Sequence, residues 1–255
     1  MTAAWSMRAM NRTRSKSVGI TAVILCFYGH SMIQPWTPQT KAEAMVVSAA
    51  TINPEAGTHP VPGDQRALDA ALCAGGTCWR RFPYLAERYG ERGLRFTMSD
   101  IAWLATLAGV SMAEVAGQVF WLRGVLATRG IPSMILQTHL EILSEALDAA
   151  IPDGHAAHGK LRLAAVGLRD ARLAHISDAQ AAALSGAFDS TAPAEWRSRL
   201  PDTALLLASA VADETDGCTG AAAALSGWLT DTRRFPAEWA EAVRATAAQA
   251  HLYAG

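Results

Sequence analysis

Five arginines fall between Trp79 and Arg95: Arg80, Arg81, Arg88, Arg92 and Arg95, with Tyr84 and Tyr89 among them. A guanidinium group offers planar, forked donors, so such a window suits a carboxylate, a phosphate or an acidic partner. Gly90 and Gly93 interrupt the window and open the backbone for a binding loop. Arg88, Arg92, Arg95 and Tyr89 are therefore the candidate ligand-binding residues. The same arginines have a plainer use, because Glu87, Glu91 and Asp100 stand beside them and can neutralise them in an internal ion-pair network.

His139 is the second candidate. It follows Leu136 by three residues and precedes Leu143 by four, which places it at the edge of an apolar helical stripe. An imidazole there can ligate haem or another metal, or meet a ligand through its charge state. An ordinary core histidine is the competing account. His155 and His158, one turn apart, offer half a metal site, or simply a solvated first helical turn. His139, His155 and His158 are the metal-ligand candidates; no cofactor is expected, with haem or a metal as the alternative. Cys73 and Cys78 are close enough in sequence to form a disulfide or part of a metal site, although idle thiols are the simpler expectation.

Several chemistries lack their residues. The chain has no GxGxxG, no GxxxxGK[ST], no HExxH and no Glu-x-x-His pair. Gly29-His30-Ser31 begins like a hydrolase nucleophile elbow, but the second small residue is replaced by Ile33, and Gln34-Pro35 cannot open the helix that must follow. With a formal net charge of -1, no overall field draws the chain to nucleic acid.

The elements that must position these residues are helices. Hydrophobic residues make up 51% of the chain, and β-branched residues are sparse after Asp64, which favours helix over strand. A first helix spans 65–74, where Gly75-Gly76 stop it. A short helix from Pro83 ends at Tyr89 with Gly90 as its left-handed cap, and Ser99 caps the next. Ser111 and Glu114 form a capping box that opens a helix to Arg129. After Gly130-Ile131-Pro132, a helix to Ala150 carries Leu136, Leu140, Leu143 and Leu147 on one face. Residues 111–150 are thus expected as an antiparallel hairpin. Further helices are expected at 155–174, from the Ser177/Gln180 capping box to Gly186, and at 194–200, 202–213, 219–229 and 237–253.

The fold class expected is an all-α, multi-helix, orthogonal or bundle-like domain organised around that hairpin. It spans 64–255, with sub-halves at 64–152 and 153–255, behind an N-terminal segment at 1–63 that is expected to be disordered or processed. In that segment Arg8, Arg12, Arg14 and Lys16 precede an apolar run, Val18 to Tyr28, too short to span a bilayer comfortably. It reads either as an export signal or as residues before a true start at Met45, and 45–64 as a proline-rich linker. A cytoplasmic location is expected, or an exported one if 1–44 act as a signal. The functional expectation is a helical binding or regulatory module, an adaptor or accessory subunit rather than an enzyme, recognising an acidic protein partner or a small anionic ligand, with neither nucleic acid nor a membrane span involved. The alternative is a haem- or small-molecule-binding helical protein, an enzyme among its options, with its pocket beside His139.

Overall fold

The computed structural model describes residues 48–255. The basic head, the apolar run 18–28, Ser31 and Met45 lie outside the described residues. Among the described residues all of the regular secondary structure is helical: α1 (Ala49–Ile52), α2 (Gln65–Arg81), α3 (Pro83–Thr106), α4 (Met112–Ala127), α5 (Ser133–Ala150), α6 (His155–Leu173), α7 (Asp178–Thr191), α8 (Ala194–Arg199), α9 (Thr203–Thr215), α10 (Ala221–Leu229) and α11 (Ala237–Ala254). No helix among the described residues is long and apolar enough to cross a membrane.

Caps place several of the starts. Ser111 Oγ accepts from Glu114 N at 3.3 Å while Glu114 Oε2 accepts from Ser111 N at 3.0 Å. Ser177 and Gln180 repeat the arrangement at 3.2 and 2.8 Å. Each cap stabilises its helix by about 1 kcal/mol. Asp64 accepts from Arg66 N at 2.9 Å and opens α2.

Three glycine and serine signals work differently from their sequence reading. Gly75 and Gly76 do not stop α2, which runs on to Arg81. Gly75 is instead the contact point of α2 on α3: a Cβ there would lie 3.0 Å from both Ile101 Cγ2 and Met98 Sδ. Ser99 does not cap a helix; it is buried within α3, its hydroxyl donating to Phe96 O at 2.9 Å. The break in α3 falls at Gly90 alone, with φ 58° and ψ -158°, a conformation costly for any side-chain-bearing residue. Nor does Gly186 end α7, which continues to Thr191.

The hairpin expected at 111–150 is also redrawn. The helix that α5 packs along is α6, across the tight Pro152–Gly154 turn, with α2 as its other main neighbour; α4 touches α5 only lightly. The reason lies in side-chain size. Leu140, Leu143 and Leu147 pack with Leu161, Ala164, Ala165 and Leu168, whose alanines let α6 approach closely. Each fully buried leucine contributes about 1.5–3 kcal/mol.

In the second half α9 is the core helix. Leu206, Leu207, Ala208, Ala210, Val211 and Ala212 are all buried, and α7, α10 and α11 pack around them. A helix apolar on every side needs neighbours on every side. The halves are not separate. One cluster combines Tyr84, Leu85 and Ile135 with Phe188, Leu207, Leu225 and Trp239. Residues 48–61, expected as linker, pack on α3: Ala49, Ala56 and Val61 cover Phe96 and Ala102.

Candidate functional site

Along α3 the residues Gly93, Thr97, Asp100 and Leu104 recur at helical spacing and share one face. Opposite them stand Ile135, Leu136 and His139 of α5, and Leu122 and Leu126 of α4 closes the gap. Together with Trp79, Leu85, Tyr89 and Ile131 these side chains line a cavity of about 60 Å³. Its walls are apolar apart from a few groups, above all Asp100 and His139.

Both are held in unusual states. Oδ1 of Asp100 and Nε2 of His139 are shut off from solvent, and neither has a hydrogen-bond partner. Both side chains retain some accessible area, yet these two atoms do not. Burial pushes the Asp100 carboxyl up to about 8 and the His139 imidazole down to about 4. In each case the apolar surroundings penalise the charged form. At neutral pH the cavity therefore presents a protonated carboxyl and a neutral imidazole on facing helices.

The wall is braced from one side by two tyrosines. Tyr84 donates its hydroxyl proton to Gly130 O at 2.5 Å, and Tyr89 donates to Arg129 O at 2.8 Å. These bonds fix the turn between α4 and α5 and so hold Ile131 against the cavity. Gly93 makes room for this: a Cβ there would lie 2.3 Å from Tyr89 Cβ and 3.1 Å from Trp79 Cη2.

Of the residues proposed from sequence, Tyr89 and His139 reach this cavity and the arginines do not. Arg92 and Arg95 both turn outward to Glu55, at 2.9 and 3.1 Å. Arg81 pairs with Asp202, and Glu87 is taken by Arg199 at 2.8 Å. Arg88 donates to Tyr84 Oη at 2.5 Å and lies 5.2 to 5.8 Å from the ring centres of Tyr84, Tyr89 and Trp228. The arginine window is thus built into the protein's own ion pairs and aromatic packing, with partners mostly distant in sequence.

Asp100 was legible only as a possible counter-ion for those arginines, and it turns the other way. Its signal was present, since Asp100 stands four residues before Leu104 on a stripe that also includes Thr97. A carboxylate on the inner side of an apolar helix is the mark of a buried acid.

His155 and His158 meet a carboxylate, each placing Nδ1 2.9 Å from Asp148, which also receives Arg162 at 2.6 Å. Among the described residues no group of three or more His, Cys, Asp or Glu is arranged to hold a metal ion. Cys73 and Cys78 are free thiols on different faces of α2, one exposed and one buried.

A second polar group lies deeper. Arg123 of α4 donates through Nε to Asp213 Oδ1 of α9 at 2.8 Å, while Asp213 Oδ2 accepts from Ser133 N at 2.7 Å. Asp216 also pairs with Arg123, and Ser209 Oγ accepts from Met134 N at 3.1 Å. Asp213 thereby serves as the anion at the start of α5, where free backbone N–H groups favour one. Its two acceptor oxygens are filled internally, so this group joins helices.

No protein family, curated protein or solved structure matches this chain.

Proposed function

We propose that this chain is a helical small-molecule-binding module whose ligand occupies the cavity between α3, α4 and α5. The observation that carries this reading is the pair of buried, unpartnered atoms, Asp100 Oδ1 and His139 Nε2, on a single apolar cavity. Leaving one such group unsatisfied costs about 1–3 kcal/mol, so two on one cavity point to a guest that completes them. Apolar walls with a few convergent polar groups and shifted proton affinities are the usual make-up of a ligand site. A haem does not suit it, because about 60 Å³ is well below the roughly 300–1,000 Å³ of ordinary ligand pockets.

The adaptor reading, with an acidic partner on the arginine window, has less to support it. Arg81, Arg92 and Arg95 already face carboxylates of this chain. Its remaining support is the exposure of Trp121, Leu163 and Val166 on α4 and α6.

The test is a fragment screen read on the methyl resonances of Leu122, Leu126, Ile131 and Ile135 and on the His139 ring. Binding fragments are expected to shift these signals together, and Leu126→Trp, which fills the space, is expected to abolish the shifts while leaving the fold intact. Cavity signals that respond to no fragment, with the protein folded throughout, would overturn the proposal.

A further inference from the structure

Resting on the reading of the cavity as a ligand site, we infer that its ligand is a small primary amine bound as the alkylammonium ion. The ammonium head donates to the Asp100 carboxylate and to Nε2 of His139, and the short alkyl body lies against Leu104, Leu122 and Leu126.

The charge on the walls selects the class. Among the described residues that line the cavity Asp100 is the only carboxyl, and neither lysine nor arginine contributes. Arg88, the nearest cation in sequence to Tyr89, is directed onto Tyr84 and Trp228 instead. An anion entering here would meet a carboxyl with nothing to balance it, whereas a cation would find its counter-ion in place.

The hydrogen-bond inventory agrees. A primary ammonium has three N–H donors and no acceptor, while a carboxylate and the unprotonated nitrogen of a neutral imidazole are both acceptors. Size sets the limit. A space of about 60 Å³ is far below the roughly 300–1,000 Å³ of ordinary ligand pockets, so the guest has only a few non-hydrogen atoms.

The proton balance follows from the two resting states. An alkylammonium arriving from solution keeps its three protons, and the Asp100 carboxyl releases its own proton to solvent as the ion pair forms. The cavity is neutral before binding and neutral after it, as an apolar interior requires. His139 and Tyr89 are the only other titratable side chains on the walls, and burial holds His139 neutral well below pH 7. Binding at pH 6 to 7 therefore releases one proton per ligand, and affinity climbs about tenfold per pH unit before levelling above the Asp100 value of about 8.

Isothermal titration of the full chain with methylammonium and ethylammonium, against ethanol and acetate, in two buffers of different ionisation enthalpy, tests this. Ethylammonium is expected to bind, acetate to fail, and the buffer difference to report close to one proton released at pH 6.5. Asp100→Asn, which keeps the shape of the protonated acid, is expected to weaken ethylammonium binding at least tenfold while circular dichroism stays unchanged. Ethanol or acetate binding as tightly as ethylammonium would overturn the amine assignment and leave the ligand site standing. If xenon under pressure also fails to shift the cavity methyls, the ligand-site reading itself falls.

Discussion

Asp100 and His139 act on stability in opposite directions. The Asp100 carboxyl is raised in the folded protein, so its contribution is full below the ordinary carboxylate range and is lost as pH rises towards about 8. The His139 imidazole is lowered, so its contribution is present above the ordinary histidine value and is lost as pH falls towards about 4. Between roughly pH 4 and 6.5 the two slopes oppose one another, and from about 6.5 to 8 only the Asp100 slope remains. Melting temperatures are therefore expected to decline from pH 6.5 to 8 in the wild-type chain and to stay level in Asp100→Asn. At pH 8.5 that variant is expected to melt a few degrees higher, since ~1 kcal/mol moves the midpoint of a domain this size by about 2–4 °C. An unchanged profile would mean that Asp100 is ionised and solvated. The arginine residues teach the complementary point. Their number was visible in the sequence, but their partners Glu55 and Asp202, and Arg199, which takes Glu87 from them, come from segments that only folding brings near.

Helices α2 and α3 meet through glycine, and adjacent positions there have opposite requirements. At Gly75 an added methyl group would press on Ile101 and Met98, while at Gly76 its nearest neighbour would be Arg80 Nη1 at 3.4 Å. Gly75→Ala is expected to destabilise the protein by about 1–3 kcal/mol through overpacking. Gly76→Ala is expected to stabilise it by up to about 1 kcal/mol, the ordinary gain for alanine inside a helix. Urea denaturation of the two variants checks both signs, and equal effects would rule out the close contact as the reason for Gly75. Periodicity identified where helices run, and capping boxes marked the starts of α4 and α7. The glycines misled because the same residue serves as a stop, a kink or a contact. Which of these applies depends on what lies across from it.

Across the whole molecule, the shared cluster of Tyr84, Ile135, Phe188 and Trp239 and the Arg123–Asp213 pair tie the first half to the second. Arg123 is 4% exposed and Asp213 not at all, so removing one partner leaves a buried charge without compensation. Arg123→Met is expected to cost about 3–5 kcal/mol, measured by chemical denaturation. Unfolding is expected to remain one transition by tryptophan fluorescence and far-ultraviolet dichroism, because the core is continuous. A loss well below 1 kcal/mol would show that Arg123 stays hydrated.

The all-α class, the limits of most helices and the two capping boxes follow from the sequence alone, because each depends on residues within a turn or two of one another. The choice of α6 over α4 as partner of α5, and the packing of residues 48–61 on α3, belong to the tertiary structure. So does the cavity. Asp100 and His139 are far apart in the chain and unremarked as a pair, and only the packing of α3 against α5 turns two isolated polar residues into one site. The physical reason is the same in each case: burial and desolvation depend on the surfaces that meet, and a linear pattern shows just one of the two.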